Sequence, residues 1–131
     1  MAKVVGIGHM SYTVMDMDKS LHFYCDLLGG KLLTQTVDEG PELGKYVMGD
    51  MLKDPYGKLK VAMVDLAGLQ IEFLQYLVPK TNVPYHGNPS IAGSAHIAVN
   101  VDDIEGIYKK LKDEGVVFHS EINDCVRDGE L

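Results

Sequence analysis

Cysteine is scarce in this 131-residue chain. Cys25 and Cys125 stand in unrelated contexts, which argues against a disulfide scaffold and for a reduced, cytoplasmic protein. Basic residues are also few. Twelve Lys and Arg against 19 Asp and Glu leave a net charge of −7 with neutral histidines. Nucleic acid and anionic membranes demand a basic face, so neither is expected as a partner. No apolar run approaches the roughly 20 residues of a spanning helix, and residues 1–10 lack the layout of a signal peptide. Low-complexity stretches are missing too. With 46% hydrophobic and 24% charged residues, disorder and fibrous repeats are excluded. The length fits one domain, which at this size buries roughly two-thirds of its unfolded surface.

What is present is a repeat. Gly8-His9-Met10-Ser11-Tyr12-Thr13-Val14 runs into Asp16-Met17-Asp18 and then Leu21, Tyr24, Cys25 and Leu28. Ala95-His96-Ile97-Ala98-Val99-Asn100-Val101 runs into Asp102-Asp103 and then Ile104, Ile107, Tyr108 and Leu111. Each apolar set falls at i, i+3, i+4 and i+7, one face of an amphipathic helix. Aspartates are positioned to cap each helix start, and Gly29-Gly30 and Gly115 to end each helix. In the first half, Lys31–Val37 and Tyr46–Met51 read as strands, and Lys58–Leu66 with Leu69–Leu77 as a hairpin turning at Ala67-Gly68. The expected plan is therefore βαβββ over residues 1–77, a Pro- and Gly-bearing connection over 78–93, and a second module over 94–131. That second module reads as a strand (Ser94–Val101), a helix (Asp103–Glu114) and a strand (Val116–Glu121), two strands short of the first.

Alternation along a strand sorts side chains onto two faces. Met10, Tyr12 and Val14 suit a core beneath the helix, whereas His9, Ser11 and Thr13 share the opposite face. His96, Ala98 and Asn100 hold the equivalent place in the second half. Glu72 is a carboxylate between Ile71 and Phe73, in an apolar strand. Imidazole and carboxylate are the ligands that hold Zn²⁺, Fe²⁺, Mn²⁺, Co²⁺ or Ni²⁺. Each residue alone has a structural reading, as a packed histidine or an ion-pair partner. The three together, two of them at equivalent places in a duplicated unit, make a candidate site.

Ile7–Val14, followed by Ser20-Leu21-His22-Phe23-Tyr24 and Leu28-Gly29-Gly30, resembles the opening signature of the vicinal oxygen chelate superfamily. That superfamily includes glyoxalase I, methylmalonyl-CoA epimerase, extradiol dioxygenases and bleomycin or fosfomycin resistance proteins. The resemblance implies an α+β fold, with two βαβββ modules forming a curved mixed sheet around a metal cavity. It implies ligands from the first and last strand of each module, here His9, Glu72 and His96. The fourth place lies in the last strand of the second module and falls beyond Leu131; Glu130 sits in a polar turn and is a poor substitute. The second module thus reads as truncated.

The family's shared chemistry is chelation of a substrate through two adjacent oxygens, with one divalent transition metal ion (Zn, Ni, Co, Mn or Fe) as Lewis acid. Glutamate at position 72 fits the glyoxalase I ligand set and weighs against the acyl-CoA epimerase, which more typically carries glutamine there. The resemblance accordingly implies a glyoxalase-like lyase or isomerase that works on a small-molecule substrate through an enediolate-type intermediate. An extradiol dioxygenase or an epimerase is the alternative, and a non-catalytic ligand-binding dimer is the alternative of another class. Ser11, Lys19 and Asn100 are candidate substrate contacts, and a homodimer is expected. Tyr85 and His86 read as an exposed loop pair, His22 and His119 as surface residues, and Cys25 as inert. Met15, Met17, Met48, Met51 and Met63 read as core filler.

Overall fold

Asp16 begins the first helix as expected: its backbone is extended (φ −146°, ψ 109°) and its side chain accepts from the Lys19 N–H at 3.1 Å. Helix α1 (Met17–Leu21) continues as a π-helical segment over His22–Leu27. It ends at Gly29, in the left-handed region at φ 80°. The N–H groups of Gly29 and Gly30 return to the carbonyls of Cys25 and Tyr24 at 3.0 and 2.8 Å. A Cβ on Gly30 would stand 2.6 Å from the Tyr24 carbonyl oxygen and 2.9 Å from Val64 Cγ1, so only glycine allows this close turn into the sheet.

The structure is a computed structural model and describes residues 1–40, 43, 57–81, 83–84 and 88–123. The chain divides into two compact units, Met1–Gly87 and Asn88–Leu131. In the first unit, strands β1 (Met10–Thr13), β2 (Lys31–Glu39), β3 (Lys58–Leu66) and β4 (Leu69–Val78) form one mixed, open sheet of order β1-β4-β3-β2. β1 runs parallel to β4, with Met10 opposite Ile71, Ser11 opposite Glu72, and Tyr12 opposite Phe73. β2–β3 and β3–β4 are antiparallel. The α+β architecture agrees with the expected class. The candidate strand at Tyr46–Met51 lies outside the described residues.

The helical segment covers one face of the sheet. Met17, Leu27, Ala62, Val64, Leu66, Ile71 and Phe73 are buried there, and the Tyr24 ring lies 4.7 Å from that of Phe73. Burying a side chain such as Phe73 contributes about 1.5–3 kcal/mol. Gln75 joins helix to sheet, its Oε1 accepting the Met17 N–H at 2.9 Å. Met17 is core, as expected, but Met15 is 46% exposed: it sits between β1 and the Asp16 cap, past the last residue that the sheet covers.

In the second unit, helix α2 (Ile104–Asp113) is capped by Asp103, whose side chain accepts from the Gly106 N–H. It ends at Gly115 (φ 80°), with Gly115 N–H to Lys112 O and Val116 N–H to Leu111 O, both 3.0 Å. Ser94–Val101 and Val116–Glu121 have no ladder partners among the described residues and form no strand. A strand exists only through its pairing, and neither stretch finds a neighbour within the described part of this unit. Tyr108 instead holds the latter stretch, meeting the Phe118 ring edge-on at 4.5 Å and donating its hydroxyl to Glu121. No helix among the described residues is long and apolar enough to cross a membrane.

Candidate functional site

The sheet face opposite the helix brings three of the expected residues together. His9, immediately before β1, and Ser11 within it stand two residues apart in the chain. The parallel register sets Ser11 directly across from Glu72 of β4. The Ser11 hydroxyl donates to Glu72 Oε2 at 3.0 Å. His9 Nε2 stands 3.5 Å from the same oxygen, with the histidine side chain 44% exposed and the glutamate 23%. The carboxylate is thus half sheltered by the sheet while its imidazole neighbour opens to solvent, an arrangement that leaves room for a third body.

The other side of Glu72 is apolar. Met63 of β3 is its cross-strand partner, and Val61 pairs with Leu74 on the same face. The Tyr76 phenol is pushed above its ordinary value by burial and then by the Glu72 charge. Met63 and Tyr76 are therefore neighbours of the site. Alternation along β4 puts Tyr76 on the Glu72 face, and the β3–β4 register assigns Met63, expected as core filler, to the same place.

The remaining candidates lie elsewhere. Lys19 is exposed in the first turn of α1, and that helix packs on the opposite face, against Phe73. His96 and Asn100 belong to the second unit and are exposed. His22 pairs with Asp26 on the helix surface at 2.8 Å. Cys25 is half-buried, and its thiol is pushed up by burial and then by Asp26, which keeps it protonated and unreactive. Tyr85, His86, Met48, Met51, Cys125 and Glu130 lie outside the described residues.

Among the described residues no group of three or more His, Cys, Asp and Glu side chains gathers to hold a metal ion; His9 and Glu72 form a pair. The pair fits such an ion in chemistry and spacing. Two ligands on one tetrahedral cation, each about 2.1 Å from it, stand about 3.4 Å apart. The separation of His9 Nε2 and Glu72 Oε2 is 3.5 Å.

A family model described as Glyoxalase/Bleomycin resistance protein/Dioxygenase superfamily matches residues 6–129. The chain is 25% identical over 109 residues to a 2-epi-5-epi-valiolone epimerase of an Actinomyces species, covering 82% of this chain and 58% of that protein. It is 29% identical over 123 residues to a lactoylglutathione lyase of Schizosaccharomyces pombe, covering 90% of this chain and 40% of that protein. The chain thus spans about half the length of these relatives. A crystal structure of a glyoxalase family protein from Bacillus cereus superposes with a TM-score of 0.81 at 20% identity, covering 95% of this chain and 82% of that one.

Proposed function

The chain belongs to the glyoxalase/bleomycin resistance protein/dioxygenase superfamily, and from that premise we propose that it is a metal-dependent lyase or isomerase of glyoxalase type. Its substrate is a small molecule that offers two adjacent oxygens, and its reaction passes through an enediolate-type intermediate. The observation that carries this reading is the His9–Glu72 pair, 3.5 Å apart on the open face of the sheet. His9 and Glu72 are two ligands of a divalent transition metal, and His96, placed by resemblance, is a third. When bound, such an ion (Zn, Ni, Co, Mn or Fe) supplies Lewis-acid stabilisation of negative charge on substrate oxygens.

This chain's own residues do the rest. His9 offers an imidazole nitrogen, Nε2, and Glu72 supplies a carboxylate oxygen beside it. The apolar strip of Val61, Met63 and Leu74 shields that side of the carboxylate from water and favours a substrate with an apolar part. Asn100 remains a candidate substrate contact, as does Lys19, whose helix packs on the opposite face of the sheet. The lactoylglutathione lyase and epimerase names of the relatives both describe chemistry that proton transfer beside a carbonyl can perform, in keeping with this reading. We further propose a cytoplasmic homodimer; a monomer by light scattering at micromolar concentration would count against the dimer.

Metal content decides between enzyme and binding protein. Purified protein should hold close to one divalent ion per active site by elemental analysis, and His9→Ala or Glu72→Gln should lose it. Protein that holds none and binds none tightly sinks the reading. Turnover of a hemithioacetal without O₂ supports the glyoxalase reaction, whereas O₂ consumption with a catechol would move it to the dioxygenases.

A further inference from the structure

We propose that Ser11 is a positioning residue that aims the Glu72 carboxylate at the metal, and that it acts through Glu72 rather than by touching substrate. The inference rests on the reading of His9 and Glu72 as ligands. Ser11 and Glu72 are direct partners in the β1–β4 ladder, so their side chains rise next to each other from one face of the sheet. The Ser11 hydroxyl has one hydrogen to give, and it goes to Glu72 Oε2 at 3.0 Å. That is the oxygen that His9 Nε2 faces at 3.5 Å. Ser11 of β1 and His9 just before that strand thus address a single carboxylate oxygen.

Glutamate has three side-chain torsions, and the last is soft and roughly two-fold. On the β3 side Glu72 meets Met63, a thioether with no hydrogen to donate to a carboxylate. Among the described residues, Ser11 is the neutral donor that reaches Glu72. A rotation that swings Oε2 away from His9 breaks the Ser11 bond. Ser11 therefore orients the carboxylate before an ion arrives, and it leaves the second lone-pair direction of Oε2, and all of Oε1, free to ligate. Outer-shell donors of this kind typically govern metal affinity by about 10- to 100-fold.

The test is a chelator competition with Zn²⁺ and Co²⁺ on the full chain, in wild type, Ser11→Ala, Ser11→Thr and Glu72→Gln, with the visible bands of the Co²⁺ form as a second readout. Ser11→Ala should weaken binding about 10- to 100-fold and shift the Co²⁺ bands, while Ser11→Thr, which keeps the hydroxyl, should bind like wild type. Thermal unfolding of metal-free Ser11→Ala should match that of metal-free wild type, which separates positioning from folding. Unchanged affinity in Ser11→Ala, with binding lost in Glu72→Gln, overturns the role of Ser11 and leaves the ligand reading standing. Equal weakening in Ser11→Ala and Ser11→Thr overturns it as well. Wild type and Glu72→Gln that bind alike, or not at all, overturn both.

Discussion

Tyr24 lies against the core, its ring 4.7 Å from Phe73 and edge-on to Phe23 at 5.1 Å. Desolvation by these neighbours pushes its phenol above the ordinary value, with a smaller push from Tyr12. A phenol whose folded value is raised stabilises the fold fully below the unfolded value, about pH 10. That stability is lost as pH rises through the folded value, because the unfolded chain ionises first and more readily. Urea unfolding should therefore show stability falling above about pH 10, and Tyr24→Phe should flatten part of that alkaline limb. Tyr76, raised by burial and by Glu72, supplies another part, so the double variant with Tyr76→Phe should be flatter still. At this scale the site was half legible in the sequence. Two-residue alternation placed His9 and Ser11 on one face, and Glu72 on the face opposite Ile71 and Phe73. That Ser11 meets Glu72 was not legible, because the contact depends on the register of strands 61 residues apart, which no local pattern encodes.

Elements divide by whether their cause is local. The two helices, their Asp16 and Asp103 caps and their glycine ends follow from neighbouring residues and were readable. So was the β3–β4 hairpin, whose turn places Ala67 at φ 53° and Gly68 at φ 92°, with the Gly68 N–H donating to Asp65 Oδ1 at 3.1 Å. Positive φ at both central positions is a type I′ turn, and alanine occupies a left-handed conformation there at a cost of roughly 1–2 kcal/mol. Ala67→Asn, which tolerates that conformation, should stabilise the protein by about 0.5–1 kcal/mol, seen as a higher urea midpoint with an unchanged slope. The elements that failed to form, Ser94–Val101 and Val116–Glu121, have the apolar alternation of strands but depend on distant partners for their hydrogen bonds. β2 shows the same dependence from the other side. Among the described residues it pairs with β3 alone at the sheet edge, and Leu32, Leu33 and Val37 are 41%, 41% and 53% exposed.

At the scale of the whole chain, the proposed ligands His9 and Glu72 lie within one compact unit, Met1–Gly87. Such a site links metal binding to stability by mass action, since an ion that binds only the folded protein adds about 2.7 kcal/mol at a hundredfold excess over its Kd. For a chain of this length that corresponds to a rise in Tm of roughly 10 °C. Unfolding monitored by calorimetry, with and without saturating Zn²⁺, should show this rise in wild type. His9→Ala should abolish most of it. His96→Ala should do the same if His96 completes the site, because a two-ligand remnant holds a first-row ion far more weakly than a three-ligand one. A full metal-induced rise in His96→Ala, alongside its loss in His9→Ala, would remove His96 from the ligand set and place the third donor elsewhere in the chain. The net charge of −7 works in the same direction as the metal, since an acidic protein draws divalent cations towards its carboxylates. Raising ionic strength should therefore weaken Zn²⁺ binding modestly, while the dependence on His9 persists.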